Sequence, residues 1–504
     1  MNGRREQGDY QTPSYFTDEV CRFLRDEKNI APATVIEPTC GKGNFIKSSL
    51  IFGARRIYGV EVNADYCRAC REAVQDNRVS VANADFFRFD FPDVDDGELL
   101  VIGNPPWVNN STLAVLESGN LPGKSNFKGL RGLDAMTGSS NFDICEYMIE
   151  ALLNRYRARG ATFAMLCKTS VARNVFEEMR RSHIGCEEMA IYGFDASKVF
   201  SINASACLLY IRQNPAAPPP VKCEVYDFAR RGTPVSAFGY RDGEFYSRLE
   251  RDEDDFNGVS CFEWRQGVKH DCAKIMELTK STDRYENGNS RRLDLEDSLI
   301  YPLVKGSMFK SPVISSFSRY VIVTQKKVGD STEYIRDYAP KVWSYLWENK
   351  ELFAKRKSSI YANGPLFSMF GVGDYSFSEY KVGVSGFYKT PMFSLLSSGN
   401  GKPVMTDDTG YFICFDTYSD AYVAMLYLNS ERVQRFLSTI AFLDSKRPYT
   451  KKVLSRLDFG KITGSLTLSE VRNTEKKLNL PPTLTARMIE GFRKTVKGKT
   501  AMLL

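Results

Sequence analysis

The feature that most constrains the fold is a series of short apolar runs separated by stretches of helical character. Runs of this length, rich in Val, Ile and Leu, suit strands that are buried on both faces. Strands that alternate with helices predict a mostly parallel sheet with helices on both sides. We therefore expect an α/β fold with a Rossmann-like sheet. The runs are VIEP (35–38), RIYGVEV (56–62), VSVANAD (79–85), LLVIGNPP (99–106), ATFAMLC (161–167) and SACLLYIR (205–212).

The intervals predict helices, one capped by Thr17 and one at 144–156. The segment NPAAPPP (214–220) then interrupts the pattern, because consecutive prolines fit neither a helix nor a central strand. We predict a stiff linker there, separating a first domain (1–213) from a second (221–504). A chain of 504 residues has room for both.

The second domain differs in composition and pattern, with more aromatic residues and shorter apolar runs. Runs such as YVIVTQK (320–326) and GYFICFD (410–416) predict strands. Helices are predicted at 419–437 and 468–496, the latter interrupted by Pro481-Pro482. We expect a mixed α+β domain, whose topology the sequence leaves open.

Composition narrows the class of protein. No apolar run approaches the roughly 20 residues that span a bilayer, and the N-terminus lacks the core of a signal peptide. We therefore expect a cytoplasmic protein without a membrane partner. The twelve cysteines are scattered, which favours reduced thiols and no metal site, and two histidines are too few for histidine-based hydrolysis.

The net charge of +7 decides nothing by itself. Lys and Arg concentrate from Lys446 onward, including SKRPYTKK (445–452). A solvated helical tail and a phosphate-contacting segment both fit this pattern.

Chemistry-bearing residues follow the first three strands, where open parallel sheets bind ligands. The first strand leads into EPTCGKGNF (37–45), whose two glycines allow a tight turn close to a ligand. Glu61 follows the second strand, placed to accept hydrogen bonds from ribose hydroxyls. Asp85 and Phe86 follow the third, a carboxylate and a ring for an adenine. Taken singly, the three features are more typical of a plain turn, a surface acid and a helix or turn cap.

The fourth strand carries the most specific pattern, LLVIGNPPW. The N6 lone pair of adenine is delocalised into its ring, so a catalyst must draw the amino group toward tetrahedral geometry. The side-chain oxygen of Asn104 and the carbonyl of Pro105 can accept both amino hydrogens, and Trp107 can stack on a flipped-out base. A rigid Asn-Pro-Pro-Trp turn is the structural alternative.

These motifs, in this order, resemble the gamma class of N6-adenine DNA methyltransferases of bacterial and archaeal restriction-modification or phage-defence systems. The resemblance covers nearly the whole chain and is most specific over residues 8–210. It implies a catalytic domain (1–213) that uses S-adenosylmethionine, a target-recognition domain (221–504), and double-stranded DNA as partner. Any cleavage is expected from a separately encoded restriction endonuclease.

The resemblance also assigns roles to individual residues. It places the N-terminal cofactor motif at Gly8 to Pro13, the ribose on Glu61, and Phe200 on the face of the flipped adenine opposite Trp107. The implied catalytic residues are Asn104, Pro105, Pro106, Trp107 and Phe200. The implied cofactor-binding residues are Gln11, Thr12, Pro13, Glu37, Pro38, Thr39, Cys40, Gly41, Gly43, Phe45, Glu61, Val62, Asp85, Phe86, Asn104, Pro106 and Asp143.

Two departures from the family pattern stand out. Trp107 occupies a position where Tyr or Phe is more usual, and Lys42 lies between the two loop glycines, so its charge must point away from a sulfonium. A Ser or Asp in place of Asn104 would have favoured methylation of cytosine N4.

The second domain contains three stretches that resemble landmarks of target-recognition regions, EWRQGVKHDC (263–272), YPLVKGSMF (301–309) and AFLDSKRPYTKK (441–452). Arg and Lys suit phosphates and guanine edges. The candidate DNA contacts are Arg265, Lys269, Lys305, Lys446 and Arg447.

Three other functions fit parts of the sequence. A methyltransferase acting on RNA adenine or protein glutamine can use the same Asn-Pro-Pro-aromatic geometry. A non-catalytic DNA-binding specificity subunit would retain the fold, although the intact loop and Asn104 argue against it. A dinucleotide-dependent oxidoreductase leaves NPPW unexplained.

Overall fold

The structure is a computed structural model that describes residues 11–91, 94, 97–108, 143–250, 254–281, 284–398 and 401–502. The chain divides into two compact units, Met1–Leu249 and Glu250–Leu504.

The N-terminal unit is built on a ten-stranded sheet in the order β10-β9-β8-β6-β7-β5-β4-β1-β2-β3. Strands β1 to β5 pair in parallel, and β7 lies antiparallel between β5 and β6. The strands are β1 (Thr34–Glu37), β2 (Arg56–Glu61), β3 (Val79–Asn83), β4 (Leu99–Gly103), β5 (Thr162–Lys168), β6 (Cys186–Asp195), β7 (Ser205–Gln213), β8 (Lys222–Asp227), β9 (Ser236–Arg241) and β10 (Glu244–Tyr246).

The central strands are buried throughout, as expected of parallel strands covered on both faces. The helices are amphipathic; α5, for example, buries Val171, Val175 and Met179 at intervals of four residues. The helices of this unit are α1 (Ser14–Asp26), α2 (Asn44–Ser49), α3 (Ala64–Ala73), α4 (Ile144–Arg155), α5 (Thr169–Arg181) and α6 (Ala196–Phe200), with a 3₁₀ turn at Leu50–Phe52.

The prolines at 214–220 do not separate the two units. After them, β8 returns to the same sheet and pairs in parallel with β6, and β9 and β10 extend the edge. The segment is also tied to the start of β6, because Cys186 N–H donates to the Pro218 carbonyl at 3.0 Å. The prolines thus end one strand without ending the domain, and the boundary lies after Leu249.

The C-terminal unit contains two sheets, β11-β21-β18-β19-β16 and β14-β13-β12-β17-β15-β20. Most pairs are antiparallel; β15–β20 and β16–β19 are parallel. The strands are β11 (Arg265–Gln266), β12 (Glu277–Ser281), β13 (Arg284–Asn287), β14 (Arg292–Leu293), β15 (Ile300–Val304), β16 (Val313–Ile314), β17 (Arg319–Ile322), β18 (Tyr380–Ser385), β19 (Ser394–Ser397), β20 (Met405–Thr406) and β21 (Gly410–Phe415).

Helices accompany both sheets, and the combination confirms the predicted α/β fold class with a second, mixed α+β part. The helices are α7 (Ala273–Met276), α8 (Ile335–Tyr338), α9 (Pro340–Glu348), α10 (Lys350–Ala354), α11 (Tyr418–Leu428), α12 (Glu431–Ile440), α13 (Lys451–Leu454), α14 (Phe459–Ser465), α15 (Leu468–Lys477) and α16 (Ala486–Ala501). Short 3₁₀ turns lie at Asp297–Leu299, Gly306–Met308, Ser359–Tyr361 and Asp374–Phe377.

Two helix predictions need correction. The first helix begins at Ser14 after Pro13, so Thr17 lies inside it and its hydroxyl donates to the Ser14 carbonyl at 2.9 Å. The helix predicted at 419–437 is two helices, because Ser430 caps a new one. The interruption predicted at Pro481-Pro482 is confirmed, because α15 ends at Lys477 and α16 begins at Ala486.

Candidate functional site

A cavity of about 380 Å³ lies beyond the carboxyl ends of β1 to β4. Its wall combines an N-terminal segment, four strand ends and the start of α4. The lining residues are Gln11, Thr12, Glu37, Pro38, Thr39, Cys40, Gly41, Asn44, Phe45, Val60, Glu61, Val62, Asn63, Tyr66, Ala84, Asp85, Phe86, Phe87, Asn104, Pro106, Val108, Ile144 and Met148. Most residues predicted to bind a cofactor therefore lie around one space.

Two glycines shape the loop between β1 and α2. Gly41 has φ of 53° and Gly43 has φ of 85°, a left-handed conformation that favours glycine. A Cβ atom at Gly41 would lie 2.6 Å from Gln11 Oε1, and one at Gly43 would lie 2.4 Å from Cys70 Sγ. Gly43 does not line the cavity, but it allows the loop to turn into α2.

Glu61 joins two of the loops. Its buried carboxylate accepts hydrogen bonds from Gly41 N–H at 2.8 Å and from Asn63 N–H at 2.7 Å. The side-chain amide of Asn83 donates to the backbone carbonyls of Glu61 and Val62 at 2.9 and 3.0 Å. The carboxylate is thus held at the wall by backbone donors, and its position depends on the glycine loop.

Glu37 lies deeper, with 3% of its surface exposed. Its Oε2 atom has no hydrogen-bond partner among the residues that the structure describes. Burial raises the pKa of this carboxyl group well above its usual range, and the nearby Cys70 and Glu61 add to the effect. Glu37 therefore brings to the cavity wall a buried carboxyl oxygen that makes no hydrogen bond with the described residues.

The N-terminal segment closes one side of the cavity. Lys42 N–H donates to Gln11 Oε1 at 3.0 Å, and Asn44 Nδ2 donates to the Thr12 carbonyl at 2.7 Å. Asn104 Nδ2 donates to Thr12 Oγ1 at 3.2 Å, which links this segment to the fourth strand end. The next residue, Pro13, caps α1 and lies outside the lining.

The opposite wall is apolar. Val108, Ile144 and Met148 form a buried cluster, with Phe86 and Phe87 packed against it. Asp85 accepts the backbone N–H of Phe87 at 3.0 Å, so its carboxylate and the aromatic pair are fixed together. The arrangement suits one flat ring with a polar edge.

Asn104, Pro105, Pro106 and Trp107 follow β4 directly, and Asn104 and Pro106 reach the cavity. Trp107 is 6% exposed, and its indole N–H donates to the Leu166 carbonyl at 3.3 Å. Its ring meets Phe200 edge to face, with centroids 5.4 Å apart and planes at 77°. The two predicted stacking residues are thus neighbours, but their rings touch and leave no space for a base between them.

Asp143 lies beside the cavity and not in its wall. It caps α4 by accepting Cys145 N–H at 3.1 Å, and it binds Lys168 Nζ at 2.6 Å. Burial raises its pKa, and the ammonium of Lys168 partly offsets that rise. Gly8, Asp9 and Tyr10, which belong to the predicted N-terminal cofactor motif, fall outside the described residues.

Within the C-terminal unit, the three landmark stretches meet at one turn, residues 406–409. Gln266 Nε2 donates to the Asp408 carbonyl at 2.6 Å, Gly306 N–H donates to Asp407 Oδ1 at 3.2 Å, and Arg447 reaches the Asp408 carbonyl at 3.3 Å. Sequence positions far apart are therefore connected around this turn.

Four of the five candidate DNA contacts have an acidic neighbour in this region. Arg265 pairs with Glu263 and lies 4.5 Å from the Tyr375 ring centroid. The other pairs are Lys269–Asp271 at 3.7 Å, Lys305–Glu277 at 2.7 Å and Arg447–Asp408 at 3.7 Å. Lys446 is exposed.

Sequence reasoning missed part of the wall, namely Asn44, Val60, Asn63, Tyr66, Ala84, Phe87, Val108, Ile144 and Met148. Asn63 and Tyr66 belong to the start of α3, and their position directly after a strand end was an available signal. Ile144 and Met148 carried no such signal, because their side chains are ordinary helix-core residues.

None of the helices in the described part of the chain is long and apolar enough to cross a bilayer. Across the same residues, no group of three or more His, Cys, Asp or Glu side chains is placed to hold a metal ion.

Known proteins similar to this chain include methyltransferases and a restriction-modification enzyme. No family model matches the chain. In solved structures, the Type IIL restriction-modification enzyme MmeI in complex with DNA is similar at 13% identity, with a TM-score of 0.49, over 97% of this chain and 75% of that one.

Two curated relatives are Type II methyltransferases. M.CvrRI of Paramecium bursaria Chlorella virus XZ-6E is 27% identical over 174 residues, which cover 34% of this chain and 39% of that protein. M.NspV of Nostoc sp. is 37% identical over 464 residues, which cover 90% of this chain and 96% of that protein. On this near full-length similarity, the chain belongs to the Type II methyltransferases.

Proposed function

We propose that this Type II methyltransferase is a gamma-class enzyme that transfers the methyl group of S-adenosylmethionine to the N6 amino group of an adenine flipped out of duplex DNA. One observation carries the proposal: a pocket suited to a nucleoside and the loop 104–107, which would hold the amino group that accepts the methyl, share one cavity. We call residues 104–107 the acceptor loop. Glu61 and Asp85 line the same space as Asn104 and Pro106. Donor and acceptor of a group transfer must meet in such a space.

The donor set of the cavity fits S-adenosylmethionine. The fixed carboxylate of Glu61 suits ribose hydroxyls, and Asp85 with Phe86 suits an adenine ring with its amino group. The buried Oε2 of Glu37 lacks a donor among the described residues, and the α-ammonium of the cofactor supplies one. The volume of about 380 Å³ is within the usual range of small-molecule sites.

The remaining predicted residues complete the cofactor site in two ways. Those that line the cavity contact the cofactor; they include Gln11, Thr12, Pro38, Thr39, Cys40, Gly41, Phe45 and Val62. Pro13, Gly43 and Asp143 lie outside the lining and shape the wall through α1, the glycine loop and α4.

Bound S-adenosylmethionine supplies an electrophilic methyl group on a positively charged sulfur. The chain's own task is to present the acceptor nitrogen. The side-chain oxygen of Asn104 and the carbonyl of Pro105 accept the two amino hydrogens and draw N6 toward tetrahedral geometry. The hydrogen bond from Asn104 Nδ2 to Thr12 orients the amide for this role. Positioning would then provide much of the acceleration, without a base of high pKa before transfer. The electrons of the broken carbon–sulfur bond would stay on sulfur as a neutral thioether, and the methylated nitrogen would release one proton to solvent.

Trp107 and Phe200 hold the flipped base by stacking on its two faces. Their edge contact at 5.4 Å must therefore open when the base enters. A Phe200 side chain that leaves Trp107 exposes one face of the indole, while the bond to Leu166 keeps the indole in place.

We assign target recognition to the C-terminal unit, with Arg265, Lys269, Lys305, Lys446 and Arg447 as DNA contacts. The meeting of three landmark stretches at residues 406–409 supports this role. Phosphates compete for the paired cations by offering a second anion. A restriction-modification or phage-defence context follows, in which a separately encoded endonuclease cleaves unmodified DNA.

The test is single-molecule sequencing of DNA from cells that express the chain, beside cells that express Asn104→Ala. We expect N6-methyladenine within one discrete sequence motif, present with the wild-type chain and absent with the variant. Binding of S-adenosylhomocysteine to both purified proteins, measured by calorimetry, is the control, because Asn104→Ala leaves Glu61 and Asp85 in place.

Each outcome has a distinct meaning. N4-methylcytosine at the motif would replace the adenine assignment while keeping the cofactor site. An unmodified genome together with cofactor binding would redirect the proposal to RNA or protein substrates. A chain that binds no cofactor would support the non-catalytic specificity subunit.

A further inference from the structure

Lys168 stands beside the acceptor loop for a topological reason. Strands β4 and β5 are parallel neighbours, with Gly103 opposite Met165. The residues that follow β4 therefore emerge next to the last residues of β5. Lys168 is the last residue of β5 and precedes α5 directly, so its side chain starts at the same edge of the sheet as Asn104 to Val108.

From this position the ammonium reaches two groups on different segments. Lys168 Nζ lies 2.6 Å from Asp143 Oδ2 and 3.4 Å from the Trp107 carbonyl oxygen. Trp107 is also held by its indole N–H, which donates to the Leu166 carbonyl. Strand β5 thus holds Trp107 through two hydrogen bonds, one from its indole to the Leu166 carbonyl and one from Lys168 to its own backbone carbonyl.

The second group, Asp143, controls the start of α4. Its Oδ1 accepts Cys145 N–H, and the adjacent Ile144 N–H donates to the Val108 carbonyl at 2.9 Å. Ile144 and Met148 of this helix form part of the cavity wall. The loop after β4 and the first turn of α4 are therefore connected to each other, and the ammonium of Lys168 contacts both.

We infer that Lys168 is a positioning residue for methyl transfer, whose ammonium holds the Trp107 carbonyl and the Asp143 carboxylate together and so fixes the acceptor loop against α4. The inference rests on the proposed function, because that function makes residues 104–107 the acceptor site.

The charges around Asp143 give this role a measurable signature. Asp143 is 7% exposed and is faced by Lys168 and Cys167 on β5 and by Cys145 and Glu146 on α4. Burial raises the pKa of both thiols well above the usual range, so they stay neutral. Lys168 is the cation that lowers the pKa of Asp143, and its removal leaves a buried carboxyl that takes up a proton at a higher pH.

The experiment compares Lys168→Met, Lys168→Arg and Asp143→Asn with the wild-type chain, with Lys222→Met on the exposed edge strand β8 as control. Rates of adenine methylation are measured across pH 5.5 to 9, together with the affinity for S-adenosylhomocysteine. We expect Lys168→Met to lower kcat by about tenfold or more while the affinity changes by less than about threefold. The acid limb of its kcat profile moves to higher pH.

Lys168→Arg keeps a cation and is expected to retain the wild-type acid limb, with a partial recovery of kcat. Asp143→Asn is expected to lower kcat and to remove the acid limb. These two variants carry the test if Lys168→Met does not fold.

A wild-type kcat in Lys168→Met overturns the inference, and so does a reduced kcat with an unmoved pH profile, which indicates a structural loss only. Either result leaves the proposed function standing as long as the wild-type chain methylates adenine. A wild-type chain that methylates no adenine overturns both.

Discussion

Glu37 and Glu61 are two acids at neighbouring strand ends with opposite surroundings. Glu61 accepts two backbone N–H groups, whereas Glu37 is buried with one oxygen lacking a donor among the described residues. The sequence predicted both as cofactor residues. It did not predict their difference, because the backbone donors to Glu61 come from two separate loops and the burial of Glu37 depends on the whole sheet.

The raised pKa of Glu37 predicts a pH dependence of stability. As pH rises above the ordinary Glu value of about 4.3, the unfolded chain loses this proton while the folded chain keeps it. The wild-type free energy of unfolding should therefore fall relative to that of Glu37→Gln as pH rises. The value for wild type minus the value for Glu37→Gln should be lower at pH 8 than at pH 5. Urea unfolding of ligand-free protein at pH 5 and pH 8 measures this. Glu72→Gln, at an exposed position of α3, is the control; a gap independent of pH contradicts the assignment.

Gly43→Ala tests the glycine loop. Left-handed φ costs about 1 kcal/mol for alanine, and the contact with Cys70 Sγ at 2.4 Å adds to this. Gly53 has φ of 66° and nothing within 4 Å of an added Cβ, so Gly53→Ala carries the conformational cost alone. We expect Gly43→Ala to be the more destabilising of the two in thermal unfolding. The double variant with Cys70→Ala should recover most of the difference; no recovery would remove the clash as the cause.

At the scale of elements, periodicity predicted the strands that carry the site and failed where tertiary contacts decide. Each of the six predicted runs overlaps an observed strand. Strand β6 (Cys186–Asp195) was missed, since two glutamates near its start hide the apolar run. The helix pair α11 and α12 was read as one helix, because Ser430 signals a break only through its capping bond to Val433.

The proline segment gives a further prediction. A Cβ atom on Gly185 would lie 2.2 Å from the Asn214 carbonyl oxygen and 2.4 Å from that of Ala217, both backbone atoms with little freedom to move. Gly185→Ala should therefore destabilise the N-terminal unit by about 1 to 3 kcal/mol. Gly232→Ala, with nothing within 4 Å, is the matched control in the same unfolding assay. Equal stabilities would mean that 214–217 does not pack against the start of β6.

At the scale of the whole molecule, charge is distributed unevenly along the chain. From Lys446 to Leu504 there are fourteen Lys and Arg residues and four Asp and Glu residues. The net charge of this stretch alone is therefore more positive than the +7 of the entire protein. The sequence shows where these charges lie along the chain, but it does not show which acidic residues they pair with. The pairing of Arg447 with Asp408 depends on strands β20 and β21, which bring the turn 406–409 beside it.

The exposed Lys446 is expected to contact phosphate without reading bases. Lys446→Ala should weaken binding to target and non-target duplexes by the same factor and reduce the slope of log K against log salt by about one. Fluorescence anisotropy over a salt series measures this, with Lys222→Ala as control. A loss confined to the target duplex would instead identify Lys446 as a base reader.

The wall of the cavity is contributed by six stretches of chain that are distant in sequence, from Gln11 to Met148. A small molecule seated there touches all of them, so any partial opening of the N-terminal unit that parts one stretch from the others must first release the molecule. Occupancy therefore couples local fluctuations into one cooperative event. When the cavity is occupied, amide hydrogen exchange should slow in β1 to β4 together. The methyl donor would then stabilise the N-terminal unit as well as serve as a reagent.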